Sequence, residues 1–336
     1  MHVQRYRLRL IKTCFFIFLP IVTFTSCTKE MAQTETLEPS VTGFLRTLEL
    51  TNSDLELNDS EGFFSIDLEA NDSQNGDLLE NVDVFVAFKS NNGINEAGQE
   101  VWLKSLDKEE FSQGNGGFPQ VSLRISYSEF VVTTNAGDIQ CGDQFLVRLQ
   151  LNLTNGSSFS TSNSNSPAVI GMDTTINSPF CYTVNIVEAM LPETFTGLYR
   201  YESIVDGPLG PTFGSPKIVE LKKGNSINER YFEGDYIASR SNEPSRKFRF
   251  VFTCEKVLFR KNQISSFFTW CPEGDLSGGI TFGGPPILLG PAREAGTISM
   301  DDDSFFELSI MEGYQGWDGD CGFGSVPAKI RFTKVE

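Results

Sequence analysis

Between Gln144 and Leu153 every second residue is apolar: Phe145, Val147, Leu149, Leu151 and Leu153 alternate with Leu146, Arg148, Gln150 and Asn152. A period of two sends successive side chains to opposite faces of an extended chain, so one face can be buried while the other stays wet. The pattern recurs at Phe64, Ile66 and Leu68, at Val82, Val84, Val86 and Phe88, and at Val121, Leu123, Ile125 and Tyr127. Turn-forming clusters separate these runs, among them 71–76 (NDSQNG), 90–93 (SNNG) and 113–117 (QGNGG). Such a chain builds antiparallel sheets rather than helices.

About seven such runs between residues 43 and 190 predict an all-β first unit, an immunoglobulin-like β-sandwich. Only 100–110 has the composition for a short helix, and 157–166 reads either as an edge strand followed by a loop or as a solvated excursion. The segment 188–196 (EAMLPETFT) breaks the rhythm with Pro192 and marks a boundary. From 195 to 336 a second antiparallel β-unit is predicted, with strands at 198–205, 216–222, 247–254, 264–271, 296–300, 305–312 and 329–335. The last three read as a meander turning at Asp301-Asp302-Asp303-Ser304. Sequential strands of this kind fit either a sandwich or a small barrel.

The first 42 residues are of another kind. Arg5, Arg7, Arg9 and Lys12 precede a mostly apolar run that ends at Phe24, a charged segment and then a hydrophobic one, as in a signal peptide spanning 1–26. The run holds Pro20 and is shorter than the roughly 20 apolar residues a membrane-spanning helix needs. Residues 28–42 are polar and read as a flexible tether.

Composition removes whole classes of function. With the leader taken off, 23 Lys and Arg face 44 Asp and Glu, a net charge of −21, which repels phosphate backbones and argues against nucleic acid as a partner. The single histidine, His2, lies in the leader, so a mature chain has no Ser-His-Asp or Cys-His catalysis and no His-ligated zinc or haem. No phosphate-binding glycine loop or dinucleotide fingerprint occurs, and the chain is expected to be non-catalytic and without a cofactor. Beyond Cys14 and Cys27 stand Cys141, Cys181, Cys254, Cys271 and Cys321. An odd set in an exported chain predicts bridges and a leftover thiol. The strand positions suggest Cys141 with Cys181 and Cys254 with Cys271, leaving Cys321.

The segment 314–324 (YQGWDGDCGFG) is the most site-like. Tyr314, Trp317 and Phe323 offer planes for sugar C–H faces, Asp318 and Asp320 accept charge-assisted hydrogen bonds from hydroxyls, and the glycines permit tight turns. The competing reading is that Trp317 and Phe323 close an open end of the core with the acids in water. Asp318, Asp320 and Asp301–Asp303 also raise calcium as an alternative, although Lys329 stands where a complete EF-hand loop would supply its last Glu. Paired carboxylates would also permit glycoside hydrolysis without histidine. Trp102 and Trp270 are expected in cores.

Thr25-Ser26-Cys27 resembles the lipobox of bacterial lipoproteins, with Phe24 where a smaller aliphatic residue is usual. That resemblance implies cleavage before Cys27 and a lipid on its sulfur. With Lys29-Glu30, the tether and the tandem β-units, the chain resembles the surface lipoproteins of Bacteroidetes, some of which accompany polysaccharide transporters as accessory glycan-binding lipoproteins of the starch-utilisation type. The resemblance implies an outer-membrane, possible surface location, with the first unit as a spacer and the C-terminal unit binding glycan or an envelope protein. The alternative is a structural or assembly subunit using a sheet edge or apolar patch.

Overall fold

Ten strands of alternating character make the first unit: β1 (Gly43–Asn52), β2 (Asp54–Glu56), β3 (Phe63–Asp72), β4 (Leu79–Lys89), β5 (Val101–Asp107), β6 (Ser112–Gln113), β7 (Pro119–Ser126), β8 (Gln144–Leu153), β9 (Ser158–Phe159) and β10 (Cys181–Val187). The computed structural model describes residues 43–91, 97–164, 167–172, 176–236, 245–265, 271 and 286–335. The leader, Cys27, the tether and Trp270 lie outside them. One sheet runs β1-β3-β7-β6, the other β2-β10-β8-β4-β5 with β9 beside β8. Pairing is antiparallel except where β2 lies parallel to β10. Leu45, Phe64, Ile66, Leu123 and Ile125 of the first sheet meet Val82, Val84, Val86, Phe145, Val147 and Leu149 of the second in one core, so this unit is a β-sandwich. Each alternating run buries its predicted face.

Two local expectations are corrected. Residues 101–107 form β5, paired with β4, rather than a helix, and only Lys108–Glu110 makes a 3₁₀ turn. A helix forms instead at α1 (Tyr127–Thr134), opened by a reciprocal cap in which the Ser126 hydroxyl accepts from the Glu129 N–H and Glu129 accepts from the Ser126 N–H, and a single helical turn, α2, at Pro167–Ile170.

The second unit continues with β11 (Gly197–Val205), β12 (Lys217–Lys223), β13 (Glu229–Gly234), β14 (Arg246–Thr253), β15 (Lys256–Phe259), β16 (Gln263–Ile264), β17 (Leu288–Pro291), β18 (Gly296–Thr297), β19 (Phe305–Glu312) and β20 (Val326–Lys334). Among the described residues they form one antiparallel sheet, in the order β16-β17-β19-β20-β11-β12-β13-β14-β15-β18. The sheet coils on itself, bringing β15 and β18 against β19. The predicted three-strand meander is therefore corrected: β19 and β20 pair, but β18 pairs with β15. Close approach at the coil demands glycine, since a Cβ at Gly296 would lie 1.7 Å from the Glu307 carbonyl oxygen.

Aromatics fill the interior. Phe306 stacks on Phe332 with centroids 4.8 Å apart, and Phe195 stacks on Phe252 at 4.1 Å. Phe232, Phe248 and Phe250 belong to the same cluster. Each such side chain contributes about 1.5–3 kcal/mol by leaving water.

The disulfides join elements differently from expectation. Cys141 bonds Cys254 and Cys271 bonds Cys321. In the β8–β10 pair Cys181 lies opposite Arg148 and Asn185 opposite Gln144. Cys141, before β8, is thus about seven residues, or roughly 23 Å, along the ladder from Cys181. Cys321 is not left over, and Cys181 is itself disulfide-bonded.

Candidate functional site

Two places gather polar chemistry: the seam between the units, and the β19–β20 connection with the acid that precedes it.

At the seam, Cys141 precedes β8 in the first unit while Cys254 lies in the β14–β15 turn of the second, so their bond crosses between units. Beside it Thr253 donates to the Ile186 carbonyl (3.1 Å), Ser226 meets Ser53 (2.9 Å), and Asn228 donates to the Glu188 carbonyl (2.6 Å). Arg260 bridges Asp54 of the first unit and Glu229 of the second. Burial opposes the Arg260 charge, but Asp54 and then Glu229 outweigh it and hold the guanidinium above its usual pKa. Asp54 also accepts from the Asn185 amide at 2.7 Å. The fully buried Arg230 clasps the inter-unit segment, donating to the carbonyls of Pro192 and Thr194 (3.0 and 2.9 Å). Burial lowers its pKa to about 10. Burial, with the like charge of Lys89 in the first unit, pulls the Lys261 amine down to about 8.

The 314–324 loop is built from the end of β19. Gly313 takes a left-handed φ of 67°, and a Cβ there would sit 1.8 Å from the Gly324 carbonyl oxygen. The Ser325 hydroxyl donates to the Gly313 carbonyl (2.6 Å), and the Cys271–Cys321 bond pins the loop below. Tyr314 and Trp317 pack on Ile170, Ile264 and Leu288, the first of these from the sandwich unit. The Trp317 carbonyl accepts from the Leu288 N–H at 2.9 Å, while its indole Nε1 is buried without a hydrogen bond. Phe323 packs against the aromatic core. Asp318 is buried and accepts from the Gly324 N–H (2.7 Å), whereas Asp320 is exposed. The five predicted residues thus share one loop. Its aromatic planes face inward and one of its two acids is engaged by the loop's own backbone.

Sequence reasoning missed Glu312, the residue before this loop. It is 1 % exposed and accepts from Thr212 (2.6 Å) and Tyr236 (2.5 Å). Burial raises its carboxyl, the two hydroxyl bonds oppose that, and Asp206 adds to it. Burial, then Glu312, lifts the Tyr236 phenol well above its usual value. No periodicity in the sequence marks an acid whose partners lie 76 and 100 residues away.

The aspartates at 301–303 do not gather. Asp303 accepts from the Phe195 N–H and pairs with Lys334 (2.5 Å), and Asp302 caps the Ser304 N–H. Among the described residues no group of three acidic, Cys or His side chains is placed to hold a metal ion, and no helix is long and apolar enough to cross a membrane. Trp102, expected in a core, is 56 % exposed on edge strand β5.

No family model matches the chain. No curated protein sequence matches it either. Among solved structures it is similar to Spo0M, a sporulation control protein from Bacillus subtilis, over 65 % of this chain and 77 % of that one, at 7 % identity and a TM-score of 0.22. A likeness that slight carries no argument about either fold or role.

Proposed function

We propose that this protein is an exported, lipid-anchored lipoprotein of the outer membrane, non-catalytic, whose two β-units form one rigid body that holds a binding surface at a fixed attitude to the membrane. The observation that carries the reading is the seam. A disulfide crossing between units, beside a buried Asp54–Arg260–Glu229 chain, suits a protein that folds where thiols oxidise and whose units work docked together. The strand order of the first unit supports an immunoglobulin-like assignment: β1-β3-β7-β6 against β10-β8-β4-β5, with the first strand's continuation β2 crossing to pair parallel with β10. The leader and the Thr25-Ser26-Cys27 motif support the anchor.

For the 314–324 loop, the packing of Trp317 against residues of both units favours a part in holding the body together over a sugar platform. That is also what the second reading requires, a structural or assembly subunit contacting a neighbouring envelope protein. No calcium and no other cofactor enters the proposal.

Detergent phase partition and intact-mass analysis of wild type and Cys27→Ser test the anchor. Wild type should enter the detergent phase with an acylated Cys27 as its first residue, and the variant should remain aqueous. Equal partition, or Cys27 found in a bond with Cys181, would overturn the anchor. Release of reducing sugar ends from soluble polysaccharides would overturn the non-catalytic reading.

A further inference from the structure

The outer face of the second unit's sheet, over β12, β11, β20 and β19, is unlike an ordinary solvated face. Tyr199, Val219, Phe306 and Phe332 point into the aromatic core, so the other parity of these four strands faces out. Register sets the outward side chains in rows. Ile218, Arg200, Thr333 and Phe305 form one row across the four strands, and Glu202, Arg331 and Glu307 form the next. Ile218 and Phe305 are each 52 % exposed, and Leu198, two residues from Arg200 on the same side of β11, is 50 % exposed. One exposed apolar side chain is ordinary, but three on one face of one sheet mark a surface for association.

The charges on this face are incompletely used. Arg200 is exposed, and among the described residues neither it nor Glu202 has a side-chain hydrogen bond or ion pair. Arg331 donates to Glu307 through Nε (3.2 Å) and Nη2 (2.6 Å), which leaves its Nη1 hydrogens for another acceptor. The rows are also self-complementary. A two-fold axis running parallel to the strands, above the face and between β20 and β11, lays β20 of one copy over β11 of the other, and β19 over β12. Phe305 then meets Ile218 of the second copy, apolar on apolar. Glu202 meets Arg331 of the second copy, acid on base, and the symmetry makes each contact twice.

We propose that this face joins two copies of the chain in a symmetric dimer, with β20 of each copy seated over β11 of the other. Charge selects the occupant. A chain carrying −21 after the leader repels its own copies over most of its surface, whereas here Arg200 and Arg331 balance Glu202 and Glu307 in rows that the symmetry matches base to acid. Half-exposed Leu, Ile and Phe beside an unpaired Arg supply the apolar centre and the polar contact that interfaces use. Four strands span only about 19 Å, at the small end of protein interfaces, so the dimer dissociates on dilution. The assignment goes beyond the anchored-body reading and stands without the anchor.

Sedimentation velocity of the intact protein in density-matched detergent, from about 1 to about 100 µM, tests it. Wild type should pass from monomer toward dimer over that range. Glu202→Arg and Arg331→Glu should each raise the dimer dissociation constant by about tenfold or more, because each sets like charges against one another. An equal mixture of the two variants should recover the dimer, since their copies oppose bases to acids at both contacts. Phe305→Ser should weaken the dimer with no charge altered and with the Arg331–Glu307 pair intact, and its melting profile should match wild type because the ring is half exposed. Trp102→Ala, on the other unit, should change nothing. A wild type that stays monomeric throughout, a dimer indifferent to both Glu202→Arg and Phe305→Ser, or a mixture that stays monomeric while both variants keep wild-type circular dichroism would each overturn it.

Discussion

Arg260 and Glu312 are two largely buried ionisable groups with opposite settlements. Arg260 is paired on both sides, so Arg260→Ala leaves Asp54 buried without its cation and Glu229 with Arg249 4.0 Å away, and urea unfolding should register a loss of about 3–5 kcal/mol. Among the described residues Glu312 has only hydroxyl partners, and burial raises its carboxyl. The folded chain therefore keeps that proton at pH values where the unfolded chain has lost it. Its contribution to stability is full below the unfolded carboxyl pKa and is lost as pH rises through the folded one. Glu312→Gln should accordingly match wild type in melting temperature at acid pH and exceed it increasingly toward neutrality; a pH-independent difference would contradict this. Neither residue was legible in the sequence, because both depend on partners brought in from distant strands. Trp102 was misread for a local reason. A register shift between Val84 and Phe85 interrupts the alternation of β5, so Leu103 packs on the core while Trp102 faces out.

Elements were legible where burial is one-sided. The alternating runs at 63–68, 82–88, 121–125 and 145–153 became β3, β4, β7 and β8, because a period of two has one way to bury its apolar face. The helix α1 was hidden by the alternation that runs into Tyr127, although Ser126 and Glu129 carry the spacing of a capping box. Strand β13 was missed because its second side chain, Arg230, is charged yet fully buried, against the usual rule. Strand β18 was assigned the wrong neighbour because the coiling of the second sheet is a property of the whole unit. Its closure makes a sharp prediction at one glycine: Gly296→Ala forces a methyl onto the Glu307 carbonyl and should cost about 1–3 kcal/mol, with the loss read by thermal melting and unaccompanied by any change at the seam. The five residues singled out between 314 and 324 lie in one loop. Which way its aromatic planes face was not readable, since that depends on Ile170, which comes from the other unit.

At the scale of the whole molecule the two β-units are distinguishable in sequence but not independent in structure. Disulfide connectivity is where this matters most: spacing suggested a bridge within each unit, and docking placed Cys141 5.7 Å from Cys254 by Cα instead. A bridge closing a loop of 113 residues removes unfolded-state entropy worth about 4–5 kcal/mol, so the Cys141→Ser, Cys254→Ser double variant should lose stability on that order while keeping its native circular dichroism at 25 °C. Retention of the fold is expected because the Arg230 clasp and the Asp54–Arg260–Glu229 chain remain. Differential scanning calorimetry of the intact oxidised protein tests the joined body most directly. The account predicts one transition whose calorimetric and van't Hoff enthalpies agree, both units melting together. Two separate transitions, one for each unit, would contradict it.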